Sequence, residues 1–136
     1  MKNYFKYHFP WQIVMIAIFT LSGVSNEDLP NLTFHIWDKF LHLIAFGVLG
    51  ILIYRSFVHA NWDLISKNAT ILSIILSIIY GASDEFHQLY VPGRFASFSD
   101  WIADMIGAIF FILLYRWIHS IIIKNQNTGN LESTGR

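Results

Sequence analysis

Four long apolar segments constrain this chain more than any other feature of its sequence. The clearest covers residues 101–123 and is interrupted only by Asp104, Arg116 and His119. A helix that crosses a membrane needs about 20 mainly apolar residues, and hydrophobic residues make up 54% of this sequence while charged residues make up only 13%. The sequence therefore predicts an all-α integral membrane protein rather than a water-soluble domain.

The second and third segments continue this pattern. The second covers residues 40–58 and carries a basic side chain near each end, where such groups reach the membrane surface. The third begins at Ala69, becomes polar in its last turns and ends before the Pro92-Gly93 pair, a turn signal. Together with the first segment, these predict an up-and-down bundle of four transmembrane helices that occupies residues 1–124.

The first segment is the shortest. Residues 13–24 cross a membrane only if the aromatic residues within 4–11 form the interfacial end of the same helix. A cleavable signal peptide is the alternative, because basic residues precede the apolar stretch and small residues follow it at 23–25. The many aromatic rings favour a retained helix, since such rings settle at membrane interfaces. We therefore predict four spans.

Up-and-down connectivity assigns every charged residue to one of two membrane sides. Basic residues dominate the side of both termini, which holds Lys2, Lys6, Arg55, Lys67, Arg116, Lys124 and Arg136 against Asp63 and Glu132. Acidic residues dominate the other side, which holds Glu27, Asp28, Asp38, Asp84, Glu85, Asp100 and Asp104 against Lys39 and Arg94. Because short cytoplasmic loops are enriched in Lys and Arg, both termini are predicted to be cytoplasmic. Residues 125–136 lack an apolar pattern and are predicted to form a disordered cytoplasmic tail.

Charge and cysteine content exclude several kinds of chemistry. The formal net charge is 0, so the positive balance that favours nucleic acid is missing and no nucleic-acid partner is predicted. Without cysteine the chain forms no disulfide and offers no thiolate to a metal. The sequence also lacks a zinc pattern such as H-E-x-x-H. No metal ligands are assigned, although oxygen ligands would favour a hard ion such as Mg²⁺ or Ca²⁺.

Nine polar residues on the predicted outer side form the candidate functional site. They are Asp38, Lys39 and His42 in the second segment, Asp84, Glu85 and Gln88 in the third, and Arg94, Asp100 and Asp104 around the start of the fourth. Each of the three groups contains a pair of residues four positions apart, which places both on one face of a helix. Because ionisable side chains at membrane depth avoid lipid, we expect the groups to face the interior of the bundle.

Several of these residues also have a purely structural interpretation. Asp38 and Asp100 stand where helices are predicted to begin and would complement the helix dipole. Ser97 and Asp100 have the spacing of a capping box. Asp104 lies one turn deeper, next to the small residue Gly107, and is suited to a hydrogen bond between closely packed helices.

The acidic side holds too few cations for its carboxylates. Five candidate carboxylates face only Lys39 and Arg94, and so many negative charges repel one another in a partly dry site. Protonated carboxyl groups, protonated His42, a bound divalent cation or a cationic ligand group would each restore the balance. Arg94 itself either braces Asp84 or Glu85 through a bidentate pair or grips a phosphate or carboxylate of a ligand.

An ordered set of these residues resembles the VanZ-like family of bacterial membrane proteins. The set consists of Asp38-Lys39-x-x-His42, Asp84-Glu85-x-x-Gln88, Pro92-Gly93-Arg94, Ser97, Asp100 and Gly107, with Ser22 near the end of the first segment. The likeness covers residues 19–114, and the family pattern often has asparagine where this chain has Asp104. Because the family is named for a protein associated with low-level resistance to the glycopeptide teicoplanin, the resemblance implies a bacterial plasma membrane and a connection with cell-envelope lipids or antibiotics. It assigns no reaction.

The sequence leaves two functions open. In the first, the acidic residues and Arg94 bind a lipid-linked envelope component or a glycopeptide antibiotic at the bilayer surface. In the second, the protein is a membrane-embedded enzyme acting on a lipid-linked phosphate or sugar, with Glu85 as general base, His42 as acid or base, and Arg94 stabilising developing charge. Ion-coupled transport is disfavoured because the inner half of the bundle lacks a path of ionisable groups. Catalytic residues, cofactors and oligomeric state stay unassigned.

Overall fold

Every regular element in the part of the chain that the structure describes is a helix. The computed structural model describes residues 4–25 and 34–134. In chain order the elements are a π-helical segment Tyr4–His8, α1 (Phe9–Ser22), α2 (Phe34–Val58), α3 (Asp63–Lys67), α4 (Ala69–Gln88) and α5 (Phe98–Thr134). The predicted all-α class is confirmed.

Three of the described helices are long and apolar enough to cross a membrane. Their spans are Lys39–Val58, Ala69–Gln88 and Phe98–Gln126, and they correspond to the predicted second, third and fourth segments. Helix α1 has only 14 residues and follows directly on the 5-residue π-helical segment, so it is shorter than the roughly 20 residues of a typical span. The predicted count of four spans therefore stays a prediction.

Helix α5 continues beyond the point at which the sequence predicts the tail to begin. It ends at Thr134, whereas disorder is predicted from residue 125. Each residue added to an existing helix gains a backbone hydrogen bond, and α5 contains no proline to interrupt it. The loss of apolar character after the span thus does not end the helix. The boundary between membrane domain and tail stays a prediction.

The packing of the helices buries little of the large apolar surface. A small core joins Ile18 of α1 to Phe46, Leu49 and Ile53 of α2. Many other large apolar side chains face outward, and Leu21 is 68% exposed. Exposed apolar area on this scale is unfavourable in water but suits the hydrocarbon of a bilayer. The fold is therefore that of a membrane protein.

Small residues let the spanning helices approach closely. Helix α4 buries Ala69, Ser73, Ser77 and Gly81, which are spaced four apart and share one face. On α5, a Cβ atom at Gly107 would overlap the backbone of α2. Such small residues at repeated positions allow helix backbones to pack tightly in membranes. The close approach brings polar side chains of different helices within hydrogen-bonding distance.

Helix α1 contacts its neighbours along its whole length. Immediately before its start, His8 Nδ1 lies 2.7 Å from Ser56 Oγ near the end of α2. Midway, the Tyr80 hydroxyl donates a hydrogen bond of 2.6 Å to the carbonyl oxygen of Met15. At its end, Ser22 bonds to α4. Helix α1 therefore lies against both ends of the bundle formed by α2 and α4.

Candidate functional site

Helix order places four helix termini at one end of the bundle, which we call the polar end. The end of α1, the start of α2, the end of α4 and the start of α5 meet there, because successive long helices run in opposite directions. Buried polar side chains concentrate at this end. They are Ser22, His42, Asp84, Glu85, Gln88, Asp100 and Asp104, and Lys39 lies beside them.

His42 and Asp104 join α2 to α5 inside the polar end. The Nδ1–H group of His42 donates to Asp104 Oδ1 at 3.0 Å. Asp104 is completely buried, and its second oxygen, Oδ2, has no hydrogen-bond partner and lies against Gly81. The structure thus contains the interhelical hydrogen bond that the sequence suggests for Asp104. The bond fixes the orientation of the imidazole ring.

Neutral donors surround Asp84, although the sequence suggests a cation as its partner. The hydroxyl of Ser22 donates to Oδ1 at 2.6 Å, and the side-chain amide of Gln88 donates to Oδ2 at 3.1 Å. Only 1% of Asp84 is exposed. Hydrogen bonds to both oxygens offset the cost of burying this carboxylate. Gln88 therefore orients Asp84 within α4, and Ser22 links α1 to α4.

Glu85 receives one hydrogen bond from the loop before α5. Its Oε2 accepts the backbone N–H of Ser97 at 2.6 Å, while its Oε1 is buried without a partner. In the predicted capping box the Asp100 side chain would accept that N–H. The structure corrects this prediction, because Glu85 of α4 supplies the acceptor. Asp100 instead pairs with Lys39, whose Nζ lies 2.6 Å from Oδ1.

Arg94 follows a tight turn that the Pro-Gly pair predicts. The N–H of Arg94 donates to the carbonyl oxygen of Val91 at 3.1 Å, and Gly93 has a positive φ of 75°, as expected for a type II turn with proline and glycine at its centre. The Nε–H group of Arg94 donates to the carbonyl oxygen of Val24 at 3.1 Å. Among the described residues Arg94 forms no ion pair, so the predicted bracing of Asp84 or Glu85 is not observed.

A cavity of about 200 Å³ lies beside these residues. Apolar side chains of α1 and α2 form most of its wall, and polar groups from α1, α2, α4 and the loop after α4 complete it. The lining residues are Ile18, Leu21, Ser22, Leu41, His42, Ala45, Phe46, Asp84 and Arg94. A mainly apolar cavity with a few convergent polar groups is the usual form of a small-molecule site.

The structure gathers most of the predicted site residues at the polar end. For Asp38 only the backbone is described, as part of α2, and its side chain lies outside the described part of the chain, as do Glu27 and Asp28. Sequence reasoning missed the backbone N–H of Ser97 as a site group. Only a three-dimensional contact reveals that role, because backbone donors leave no signature in a sequence.

Together the fold and the site define a class, namely an all-helical membrane protein with buried carboxylates and a small amphiphilic cavity at one end of its bundle. Its family follows from a comparison of the sequence with family models. The model described as VanZ/LLP1 matches residues 1–119, so the chain belongs to the VanZ/LLP1 family and the resemblance seen in its motifs is confirmed. No curated protein and no solved structure matches the chain.

Proposed function

We propose that the chain crosses a bacterial plasma membrane four times, with both termini in the cytoplasm and the polar end outward. Support for the first crossing comes from α1 and the π-helical segment before it: His8 contacts Ser56 near one end of the bundle, and Ser22 contacts Asp84 near the other. At one end the rings of Tyr7 and His59 stack at 3.7 Å, and at the other those of Phe19 and His87 stack at 4.0 Å. Support for the orientation comes from the excess of basic residues on the side of the termini.

Single introduced cysteines test this topology, because the chain has no cysteine of its own. We expect a membrane-impermeant maleimide to label Phe95→Cys in intact cells, since Phe95 is 85% exposed in the loop at the polar end. Tyr4→Cys and Asn61→Cys, at the opposite end, should react only after permeabilisation. Labelling of Tyr4→Cys in intact cells, with Asn61→Cys protected, would show that α1 does not cross.

We further propose that the polar end binds the phosphate-bearing head of an envelope lipid. The observation that carries this proposal is the cavity that joins the apolar side chains of α1 and α2 to Arg94. Its mixed apolar and polar lining suits an amphiphile, whose chain would lie against exposed residues such as Leu21 and Leu41 while its head reaches the polar groups. An extended apolar chain would remain in the bilayer.

The size of the cavity favours a lipid head over a whole glycopeptide antibiotic. Sites for drug-sized molecules usually have volumes of about 300–1,000 Å³, whereas this cavity has about 200 Å³. A phosphate group with its first neighbours fits into such a space, and a larger antibiotic would have to rest outside it. The glycopeptide connection of the family is then indirect and acts through the lipid.

Arg94 is the group that we assign to the phosphate. Its Nε is occupied by the Val24 carbonyl oxygen, but its guanidinium forms no ion pair with any described residue. Arginine binds phosphate through paired, charge-assisted hydrogen bonds. Lys39, by contrast, is already paired with Asp100.

Binding to the purified protein tests this assignment. We expect a polyprenyl phosphate to bind more tightly than the matching uncharged polyprenol, and Arg94→Ala to lower phosphate affinity about tenfold or more, since charge-assisted bonds contribute about 1.5–3 kcal/mol. Arg116→Ala is the matched control, because Arg116 is exposed on α5 far beyond the polar end. Equal binding of phosphate and alcohol, or equal losses in both variants, would contradict the proposal.

The His42–Asp104 pair favours catalysis as a second candidate function. A carboxylate that orients an imidazole is a common arrangement for general acid or base chemistry, and Asp104 holds His42 in this way at 3.0 Å. In that case the lipid-linked phosphate or sugar would be a substrate. Release of phosphate or sugar from polyprenyl-linked substrates by the wild type, and its loss in His42→Gln, would favour the enzyme; unchanged substrates would favour the binding module.

A further inference from the structure

Three helices place possible metal ligands next to one another at the polar end. One ligand atom from each of His42, Glu85 and Asp100 lies within 4.8 Å of the other two. Two atoms bound to the same ion at about 2.0–2.4 Å are separated by no more than about 4.8 Å. The three residues come from α2, α4 and α5, so no sequence spacing would have grouped them.

Burial distinguishes this group from an ordinary acidic surface. The exposed fractions of His42, Glu85 and Asp100 are 9%, 7% and 6%. Glu85 in particular keeps Oε1 buried without any hydrogen-bond partner, while its other oxygen is held by the Ser97 N–H. A buried carboxylate oxygen that has lost its water and found no partner is unfavourable. A bound cation at the group would supply the missing interaction.

We propose that His42, Glu85 and Asp100 bind a divalent first-row metal ion of the Mn²⁺ or Zn²⁺ type. An imidazole nitrogen together with carboxylate oxygens favours such ions over Ca²⁺, which binds oxygen ligands. Asp104 acts as a positioning residue, since it accepts the Nδ1–H of His42 at 3.0 Å and so directs Nε2 to the ion. Carboxylates commonly orient metal-binding histidines in this way.

Substitution of Lys39 tests the proposal in a way that a loss of folding cannot explain. Its ammonium lies 2.6 Å from Asp100 Oδ1, and its side chain is 41% exposed, so it competes with the metal for the carboxylate and is able to swing into water. Removing this competing charge in Lys39→Met should tighten metal binding about threefold or more. A residue that only stabilised the fold would not give tighter binding when removed.

The experiment is a titration of the purified full-length protein with Mn²⁺ alone, in an uncharged sugar detergent and followed by electron paramagnetic resonance. We expect one Mn²⁺ per chain, displaced by Zn²⁺, with coupling to an imidazole nitrogen. Glu85→Gln should weaken binding at least about tenfold, and Lys39→Met should strengthen it. Asp63→Asn is the control, because Asp63 is an exposed acid paired with Lys67.

Metal binding to the wild-type protein tests the proposal even if Glu85→Gln does not fold. Absence of bound Mn²⁺ and Zn²⁺ in the wild type would overturn the proposal, and so would bound Mn²⁺ without nitrogen coupling. Weaker binding in Lys39→Met would also overturn it. Because no lipid is added, the outcome is independent of whether Arg94 binds phosphate.

Discussion

Replacing Gly107 by alanine should separate α5 from α2 and lower the stability of the protein more than the same change at Gly47, Gly50 or Gly81. The new Cβ atom would overlap the carbonyl oxygen of Leu43, which belongs to the backbone of α2. Backbone atoms of a helix do not rotate away as a flexible side chain does. Overpacking costs about 1–3 kcal/mol or more, and we expect this site to reach about 3 kcal/mol.

Thermal unfolding in detergent measures this effect. A loss of about 3 kcal/mol corresponds to a decrease in Tm on the order of 10 °C. Ile106→Ala is the control, because the neighbouring Ile106 is 53% exposed on the outer face of α5 and its truncation should change Tm little. If Gly107→Ala unfolds at the same temperature as the wild type, then the backbones of α2 and α5 are not in close contact at Gly107.

Replacing His42 by leucine should strongly destabilise the protein, because it leaves Asp104 buried without its donor. Asp104 is 0% exposed, and the bond from His42 is the one described for its Oδ1, while Oδ2 already lacks a partner. Removing one partner of a buried polar pair typically costs about 3–5 kcal/mol. The double variant His42→Leu, Asp104→Leu should recover most of this loss, since replacing both partners by apolar groups is often close to neutral.

The free energy of unfolding in mixed micelles distinguishes these variants. Lys39→Leu is the matched control, because Lys39 also links α2 to an aspartate of α5 but is 41% exposed. We expect it to cost less than His42→Leu, because water reaches Lys39 and screens its attraction to Asp100. A double variant as unstable as His42→Leu alone would show that the unpaired carboxylate is not the cause.

The three long spans were predictable because the property that defines them is local. About 20 apolar residues in sequence suffice for a membrane helix whatever its neighbours are, and the observed spans 39–58, 69–88 and 98–126 follow the predicted segments. The predicted first span is harder to assess, because α1 has only 14 residues. Its contacts with α2 and α4 cannot be read from hydropathy.

The membership of the candidate site was largely predictable, but its partnerships were not. Helical spacing and connectivity were enough to bring His42, Asp84 and Asp104 to one end. The sequence suggested cations for Asp84, yet Ser22 and Gln88 hold it with neutral donors. Which side chains form hydrogen bonds depends on how each helix is rotated about its axis and shifted along it, because an error of a few ångströms breaks such a bond. The small residues on the packing faces determine this rotation and shift.

We propose above all that Arg94 at the polar end binds the phosphate of an envelope lipid. The distance between Arg94 Cζ and the lipid phosphorus tests this proposal most directly. Solid-state nuclear magnetic resonance of arginine-labelled protein in bilayers containing a polyprenyl phosphate measures this distance. A bidentate pair predicts about 4 Å, with a signal that disappears in Arg94→Ala and persists in Arg116→Ala. A carbon–phosphorus distance signal that is unchanged in Arg94→Ala would contradict the proposal. The absence of any arginine carbon close to phosphorus in the wild type would contradict it as well.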